Sequence, residues 1–313
     1  SYYLTAQQEE IKNKIINGIR SGEQKIWGIC GTAGTGKTLL LYDIARTLGD
    51  EMKVCIIHSG ILSQGHIELK SRQKKFDIIS VRDCNEDVVS NYECVLIDES
   101  QRLYQIDFDC LIKAFKEKGI KCIFSYDFFQ VLSYTEQNRN IPEQLKQQEE
   151  FVENKLSDKI RTNAEIVSFI KNVIDLKNKP KRYIDYSNIE VLYADNYETA
   201  KEIVRHYVND KNYKFISYTP SRIRSDIDQF RDYVNTHHII GQEFDNVIFS
   251  MDRNFRYTAE GRLQGKKHPN PDYIFYKLWY QGVSRAREKL CILIIDNEEL
   301  FEKILSVKLQ FEN

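Results

Sequence analysis

Gly31-Thr32-Ala33-Gly34-Thr35-Gly36-Lys37-Thr38 follows the apolar run 26–30 and leads into a helical pattern over 38–48 that stops at Gly49. Strand, glycine-rich turn and helix in that order give the G-x-x-x-x-G-K-T pattern its physical context. Glycines let the backbone curl so that several N–H groups and the positive end of the helix face a phosphate chain. In that arrangement Gly31, Thr32, Ala33, Gly34, Thr35, Gly36, Lys37 and Thr38 wrap the phosphates, Lys37 reaches the β and γ oxygens, and the Thr38 hydroxyl ligates Mg2+. The implied cofactors are ATP and Mg2+.

Sixty-odd residues on, the run 94–97 delivers Asp98 and Glu99, the form of a buried strand with two carboxylates at its C-terminal end. Asp98 is the expected metal carboxylate, acting through water, and Glu99 the group that orients and deprotonates an attacking water. A helix pattern (Ile11, Ile15, Ile16, Ile19) precedes the glycine turn, and further β-rich runs lie at 54–57 and 120–124. Strands alternating with helices predict a parallel sheet covered on both faces. The alternation restarts after about residue 155, with runs at 189–193, 215–218, 247–250 and 290–295. The chain of 313 residues exceeds the usual ceiling for one hydrophobic core. Two α/β lobes are therefore expected, 1–150 and 151–313, with the boundary in the polar stretch 136–150.

Hydrophobic residues make up 42% and charged residues 29% of the chain, which excludes a disordered or fibrous class. No apolar run is long enough to suggest a membrane span, and no signal peptide opens the sequence. The formal net charge of -1 supplies no global field for a polyanion, so nucleic-acid binding would need a local groove. The seven cysteines (30, 55, 84, 94, 110, 122, 291) lack metal-ligand spacing and read as buried, reduced thiols of a cytoplasmic protein. The start at Ser1 fits either removal of an initiator Met or a piece of a longer polypeptide.

Asp98-Glu99-Ser100-Gln101-Arg102 resembles motif II, of DEAQR type, in superfamily 1 helicases, and other motifs follow in that family's order. Leu4-Thr5-Ala6-Gln7-Gln8 resembles the Q motif, LxxxQ, which implies that Gln8 selects adenine. Tyr126-Asp127-Phe128-Phe129-Gln130 is similar to motif III, GDxxQ, with Tyr126 in place of Gly; the implied γ-phosphate sensor is Gln130. Residues 156–161 resemble motif IV, LxxNYR, which implies a γ-phosphate contact from Arg161, with Ile160 where an adenine-stacking Tyr often stands. His237-His238-Ile239-Ile240-Gly241-Gln242-Glu243-Phe244-Asp245 resembles motif V, HxxKGLEFD: Gly241 and Glu243 match, and Ile240 replaces the Lys. Gln281-Gly282-Val283-Ser284-Arg285-Ala286-Arg287 is similar to motif VI, VAxTRAR, and implies that Arg285 is an arginine finger, a guanidinium that stabilises charge on the transferring phosphoryl group.

The resemblance runs from Leu4 to Leu290. It implies two tandem RecA-like lobes with ATP hydrolysed in the cleft between them by Lys37, Glu99, Gln130, Arg161 and Arg285. Within the superfamily, the motif set resembles small bacterial DNA/RNA helicase-domain proteins and the helicase lobe of Schlafen proteins. About sixty residues separate Thr38 from Asp98, ordinary α/β material that leaves no room for the first inserted domain of UvrD/Rep-like enzymes, and Arg222 and His237 are too close in sequence to enclose the second. The implied partner is single-stranded DNA or RNA. Candidate contacts are His58-Ser59-Gly60, Tyr134, Ser221-Arg222 and the cation-and-aromatic stretch 253–268, whose ordinary alternatives are packing or a solvated insertion. The alternative function is an ATPase switch subunit that regulates a partner, for example a nuclease, in an antiviral defence or repair complex without unwinding. A non-enzymatic interaction module is disfavoured, because the catalytic positions retain their chemistry.

Overall fold

In the computed structural model the described residues are 4–32, 34–60, 62, 64–157, 163–178, 180, 182–218, 230, 233–234, 236, 239, 242–265 and 274–310. The chain divides into two compact units, Ser1–Val131 with Thr135–Ile160, and Leu132–Tyr134 with Arg161–Asn313.

The first unit runs α1 (Ala6–Arg20), β1 (Ile26–Gly31), α2 (Lys37–Leu48), β2 (Val54–His58), α3 (Gln64–Arg72), β3 (Asp77–Ser80), α4 (Glu86–Val89), β4 (Cys94–Asp98), α5 (Gln105–Lys118), β5 (Lys121–Tyr126), α6 (Tyr134–Arg139), α7 (Ile141–Lys146) and β6 (Phe151–Leu156). Its six strands form one parallel sheet in the order β3-β2-β4-β5-β1-β6. Alternate residues of each strand face opposite layers. Ile29, Ile56, Leu96 and Ile123 pack with α1 and α2 through Ile15, Leu40, Leu41 and Ile44. Ile26, Ile57, Val95 and Phe124 pack with α5 and α7 through Phe108, Leu111, Ile141 and Leu145. Burial on both faces is why 94–97 reads as an unbroken apolar run rather than an alternating one.

The second unit contains α8 (Ala164–Ile174), β7 (Ile189–Ala194), α9 (Tyr197–Asn209), β8 (Lys214–Ile216), β9 (Phe244–Met251), β10 (Phe255–Tyr257), β11 (Leu263–Gly265), α10 (Phe275–Val283), β12 (Ala286–Ile295) and α11 (Glu298–Leu309). Four parallel strands follow the order β7-β12-β9-β8, and β10 pairs with β11 as an antiparallel hairpin. One face is covered by α8, α10 and α11 through Phe169, Leu278, Trp279 and Ile304, and the other by α9 through Ala200, Val204 and Tyr207. The chain is thus α/β, with two mainly parallel sheets flanked by helices, as the strand and helix alternation predicts.

β6 was not read from the sequence. It follows the polar stretch 136–150 and pairs along the whole of β1 from Ile26↔Phe151 to Gly31↔Leu156, closing the first sheet. The hairpin β10–β11 corrects the reading of the described part of 253–268 as a solvated insertion. Phe255 and Leu263 are core residues, the Tyr257 hydroxyl donates to the Val173 carbonyl at 2.7 Å, and Arg253 and Arg262 face Asp296 and Asp175. Lys266, Lys267 and His268 lie outside the described residues. All seven cysteines are free; five are buried, whereas Cys84 and Cys110, outside the strands, are half-buried. Among the described residues, no helix is long and apolar enough to cross a membrane.

Candidate nucleotide and metal site

Three neighbouring strands of the first sheet, β4, β5 and β1, end at one edge. The register pairs Ile97 with Phe124 and Cys30 with Tyr126, so Gly31, Asp98, Ser125 and Asp127 emerge side by side. Gly34 and Gly36 both have positive φ, 79° and 76°, the left-handed conformation that glycine reaches without a Cβ clash. The turn closes with Thr35 Oγ1 donating to the Thr32 carbonyl at 2.8 Å.

Lys37 opens α2, and its side chain is 6% exposed. Its Nζ donates to the carbonyls of Gly31 at 2.8 Å and Thr32 at 3.1 Å, and lies 3.7 Å from Asp127 Oδ2. Thr38 Oγ1 donates to Asp98 Oδ2 at 3.0 Å. The other oxygen, Oδ1, accepts from Ser125 Oγ at 3.0 Å and from the Glu99 amide at 3.1 Å. Burial pushes the Asp98 carboxyl up from its ordinary range; His58 opposes this, Glu99 adds to it, and the Thr38 and Ser125 hydroxyls oppose it. A hydroxyl and an acidic oxygen in contact are hard donors of the kind Mg2+ takes, and a cation there would offset the cost of burying the charge.

Glu99 occupies the left-handed region at φ 56°, ψ 39°, which costs a non-glycine residue about 1–2 kcal/mol. Its side chain is buried among the residues that follow it. There Gln101 Nε2 donates to Glu99 Oε2 at 2.6 Å, and Arg102 Nε lies 3.8 Å from the same oxygen. Gln101 Oε1 in turn accepts from the Asp127 amide at 3.2 Å. Gln130 Nε2 donates to Asp127 Oδ2 at 2.8 Å. One connected polar group therefore joins Lys37, Asp127, Gln130, Gln101 and Glu99, which lie on three segments of sequence.

Gln8 is fully buried beside the same turn. Its Oε1 accepts from the Thr5 amide at 2.9 Å, completing a capping box on α1, and its Nε2 donates to the Thr35 carbonyl at 3.1 Å. The residue thus ties α1 to the glycine-rich turn 31–38. Gln7 reaches the Lys155 carbonyl and the Ser157 hydroxyl at the end of β6.

In the second unit Arg285 follows α10 and is 5% exposed. Its Nε donates to the Gln281 carbonyl at 3.3 Å and its Nη1 approaches the Gln242 carbonyl at 3.5 Å. The Phe244 amide donates to the Arg285 carbonyl at 2.9 Å, so Glu243 and Arg285 are neighbours by way of the backbone. Ala33, Ile160, Arg161, Ser221, Arg222, His237, His238, Ile240 and Gly241 lie outside the described residues.

Several sequence readings change. His58 is not a surface contact: it is buried, 3.7 Å from Asp98 Oδ2 through Nδ1, with the Tyr42 hydroxyl 2.8 Å from Nε2. Tyr134 is 44% exposed, which argues against the packing role. Tyr126, in place of the motif's Gly, is fully buried and donates to Glu153 Oε1 of β6 at 2.6 Å. The sequence did not single out Ser125 or Tyr42. Their signals were a hydroxyl closing a buried strand, and a position one helical turn beyond Thr38.

Residues 24–236 match the family described as Schlafen group 3, DNA/RNA helicase domain. No curated protein matches the chain. Among solved structures, Pif1 helicase from Bacteroides in complex with ADP-AlF3 and single-stranded DNA is 13% identical over 93% of this chain and 92% of that one, with a TM-score of 0.51. A second Bacteroides Pif1 bound to single-stranded DNA is 14% identical over 95% and 92%, with a TM-score of 0.48. Pif1 helicase from Candida albicans is 13% identical over 99% and 100%, also with a TM-score of 0.48. The family match spans more than half of the chain, so this protein belongs to the Schlafen group 3 DNA/RNA helicase domain family.

Proposed function

We propose that the chain binds Mg-ATP at the turn 31–38, hydrolyses it, and uses the cycle to move on single-stranded nucleic acid. The observation that carries the reading is the 3.0 Å hydrogen bond between Thr38 and Asp98, which joins the hydroxyl at the helix start to the carboxylate at the neighbouring strand's end. Lys37 would hold the β and γ oxygens, exchanging the Gly31 and Thr32 carbonyls for phosphate oxygens of opposite charge. Bound Mg2+, held by Thr38 and through water by Asp98, would supply neutralising charge on the phosphates.

Glu99 would accept the proton of the attacking water, its carboxylate aimed by Gln101. Gln130, joined to Lys37 through Asp127, would register whether the γ-phosphate is present. Gln8 would select adenine from its place beside the turn. Arg161 and Arg285 would add guanidinium charge as negative charge develops on the phosphoryl group, and Gly241 and Glu243 would complete the nucleotide's surroundings. The fold shared with Bacteroides Pif1, itself solved with ADP-AlF3 and single-stranded DNA, supports this reading.

The test is ATP turnover by the purified chain with single-stranded DNA, single-stranded RNA or duplex added. Stimulation by a single strand is expected. Turnover indifferent to every polynucleotide but altered by a protein partner, such as a nuclease, would instead identify an ATPase switch. Absence of turnover in all conditions would refute the ATPase itself.

A further inference from the structure

Thr38 and Tyr42 stand one turn apart on α2, so their side chains leave the same face of the helix. That face meets the ends of β4 and β2, where the parallel register pairs Asp98 with His58. A circuit results. Thr38 Oγ1 donates to Asp98 Oδ2 at 3.0 Å, His58 Nδ1 lies 3.7 Å from that same oxygen, and the Tyr42 hydroxyl is 2.8 Å from His58 Nε2. His58 is only 5% exposed, and the His66 ring stacks on it with centroids 3.9 Å apart and planes inclined by 26°.

The chemistry of each partner sets the direction of the contacts. Burial first, and the Asp98 charge second, raise the Tyr42 phenol well above its ordinary pKa, so the hydroxyl keeps a proton that it can donate to Nε2. An imidazole that accepts at Nε2 carries its proton on Nδ1, the nitrogen that faces Asp98. At 3.7 Å the contact lies just outside hydrogen-bond length, yet with this tautomer the nitrogen nearest the carboxylate carries the proton, and in a water-poor site such a dipole acts strongly.

We infer that His58, oriented by Tyr42, is a positioning residue for Asp98, steadying the oxygen that Asp98 shares with Thr38 and thereby shaping the divalent-cation site. The inference rests on the Mg-ATP reading above. Outer partners that orient metal-binding carboxylates are commonly worth 10- to 100-fold in metal affinity. Neither His58 nor Tyr42 would touch the cation.

The test uses Mn2+ as the probe, titrated into the purified chain with ADP and followed by electron paramagnetic resonance, with circular dichroism to establish folding. Asp98→Asn is expected to weaken Mn2+ most, and His58→Ala by about 10-fold or more. Tyr42→Phe keeps the ring and should shift affinity in the same direction by less. His58→Asn places an amide nitrogen where Nδ1 stands and should retain more affinity than His58→Gln, whose amide mimics Nε2. In turnover assays His58→Ala should raise the Mg2+ needed for half-maximal rate while leaving the KM for ATP at saturating Mg2+ unchanged.

Unchanged Mn2+ affinity in His58→Ala, alongside weakened binding in Asp98→Asn, would reduce His58 to packing and overturn the inference. Equal behaviour of the Asn and Gln variants would overturn the Nδ1 geometry. Wild-type Mn2+ binding by Asp98→Asn would sink the metal role of Asp98 itself, and the His58 role with it. Should His58→Ala fail to fold, Tyr42→Phe and His58→Asn decide the outcome.

Discussion

Lys37 and Asp127 form a buried ion pair, with Nζ 3.7 Å from Oδ2 and side chains only 6% and 1% exposed. The ammonium's further contacts are the Gly31 and Thr32 carbonyls, all of them acceptors that a phosphate can replace. A cation held this way is ready for an anion at little cost in side-chain ordering, because its rotamer is already set.

Lys37→Ala should therefore lower ATP turnover by about 100-fold or more, measured as phosphate release. It should also destabilise the chain by about 1–3 kcal/mol in urea titrations, because Asp127 stays buried after losing its cation. Phosphate release at the wild-type rate would remove the turn 31–38 from the reaction.

Glu99→Gln preserves side-chain shape while removing the proton acceptor. A loss of about 10²- to 10⁴-fold in kcat is expected, with fluorescent-nucleotide affinity within a few-fold of wild type. Equal losses in affinity and kcat would mean that Glu99 binds nucleotide rather than activates water.

Gly282 sits where α10 presses on β9; a Cβ there would meet the Phe249 ring at 2.2 Å. Phe249 is fully buried and has little room to move. Gly282→Ala should cost about 1–3 kcal/mol by overpacking, read as a lowered thermal midpoint, and displace the α10 segment that leads to Arg285. A variant as stable as wild type would show that the helix can lift off the sheet without penalty.

Gln8→Ala removes both the capping-box acceptor and the donor to Thr35. A stability loss of about 1 kcal/mol is expected. The same variant tests base selection: loss of preference for ATP over GTP would accompany the destabilisation if Gln8 reads adenine, and a retained preference would confine the residue to holding the turn.

His66 titrates low, at about 4 against an ordinary 6.5, chiefly through burial and secondly through His58. A histidine depressed in the folded state takes up protons more readily when unfolded, so its contribution is intact above pH 6.5 and is lost as pH falls toward 4. The ceiling is about 3 kcal/mol, reduced to roughly 1 kcal/mol by solvent around a half-buried ring. The difference in urea midpoint between wild type and His66→Asn should shrink or reverse across that pH interval. A pH-independent difference would contradict the shift.

Some elements were legible because their signals are local. β4 is an apolar run buried on both faces, and its ending in Asp98-Glu99 marks the sheet edge without reference to anything distant. β6, as Phe-Val-Glu-Asn-Lys-Leu, was not legible. It is an edge strand with three of its six residues half-buried and a fourth exposed, so its polarity merges with the stretch before it. The hairpin residues Phe255 and Leu263 were hidden for a related reason: each is apolar beside arginines, and only their partners on α8 and α10 reveal them as core.

Covalent order alone determined the two α/β halves, the glycine-rich turn 31–38 and the succession of motifs, because glycine conformation, side-chain periodicity and carboxylates at strand ends are properties of neighbouring residues. Only the tertiary structure decided that Asp127 faces Lys37, that Gln101 joins Glu99 to the β5 loop, and that His58 turns inward to Asp98 rather than outward to a ligand. Those pairings depend on strand order and register within the sheet, which bring together groups tens of residues apart and leave no mark in any one segment.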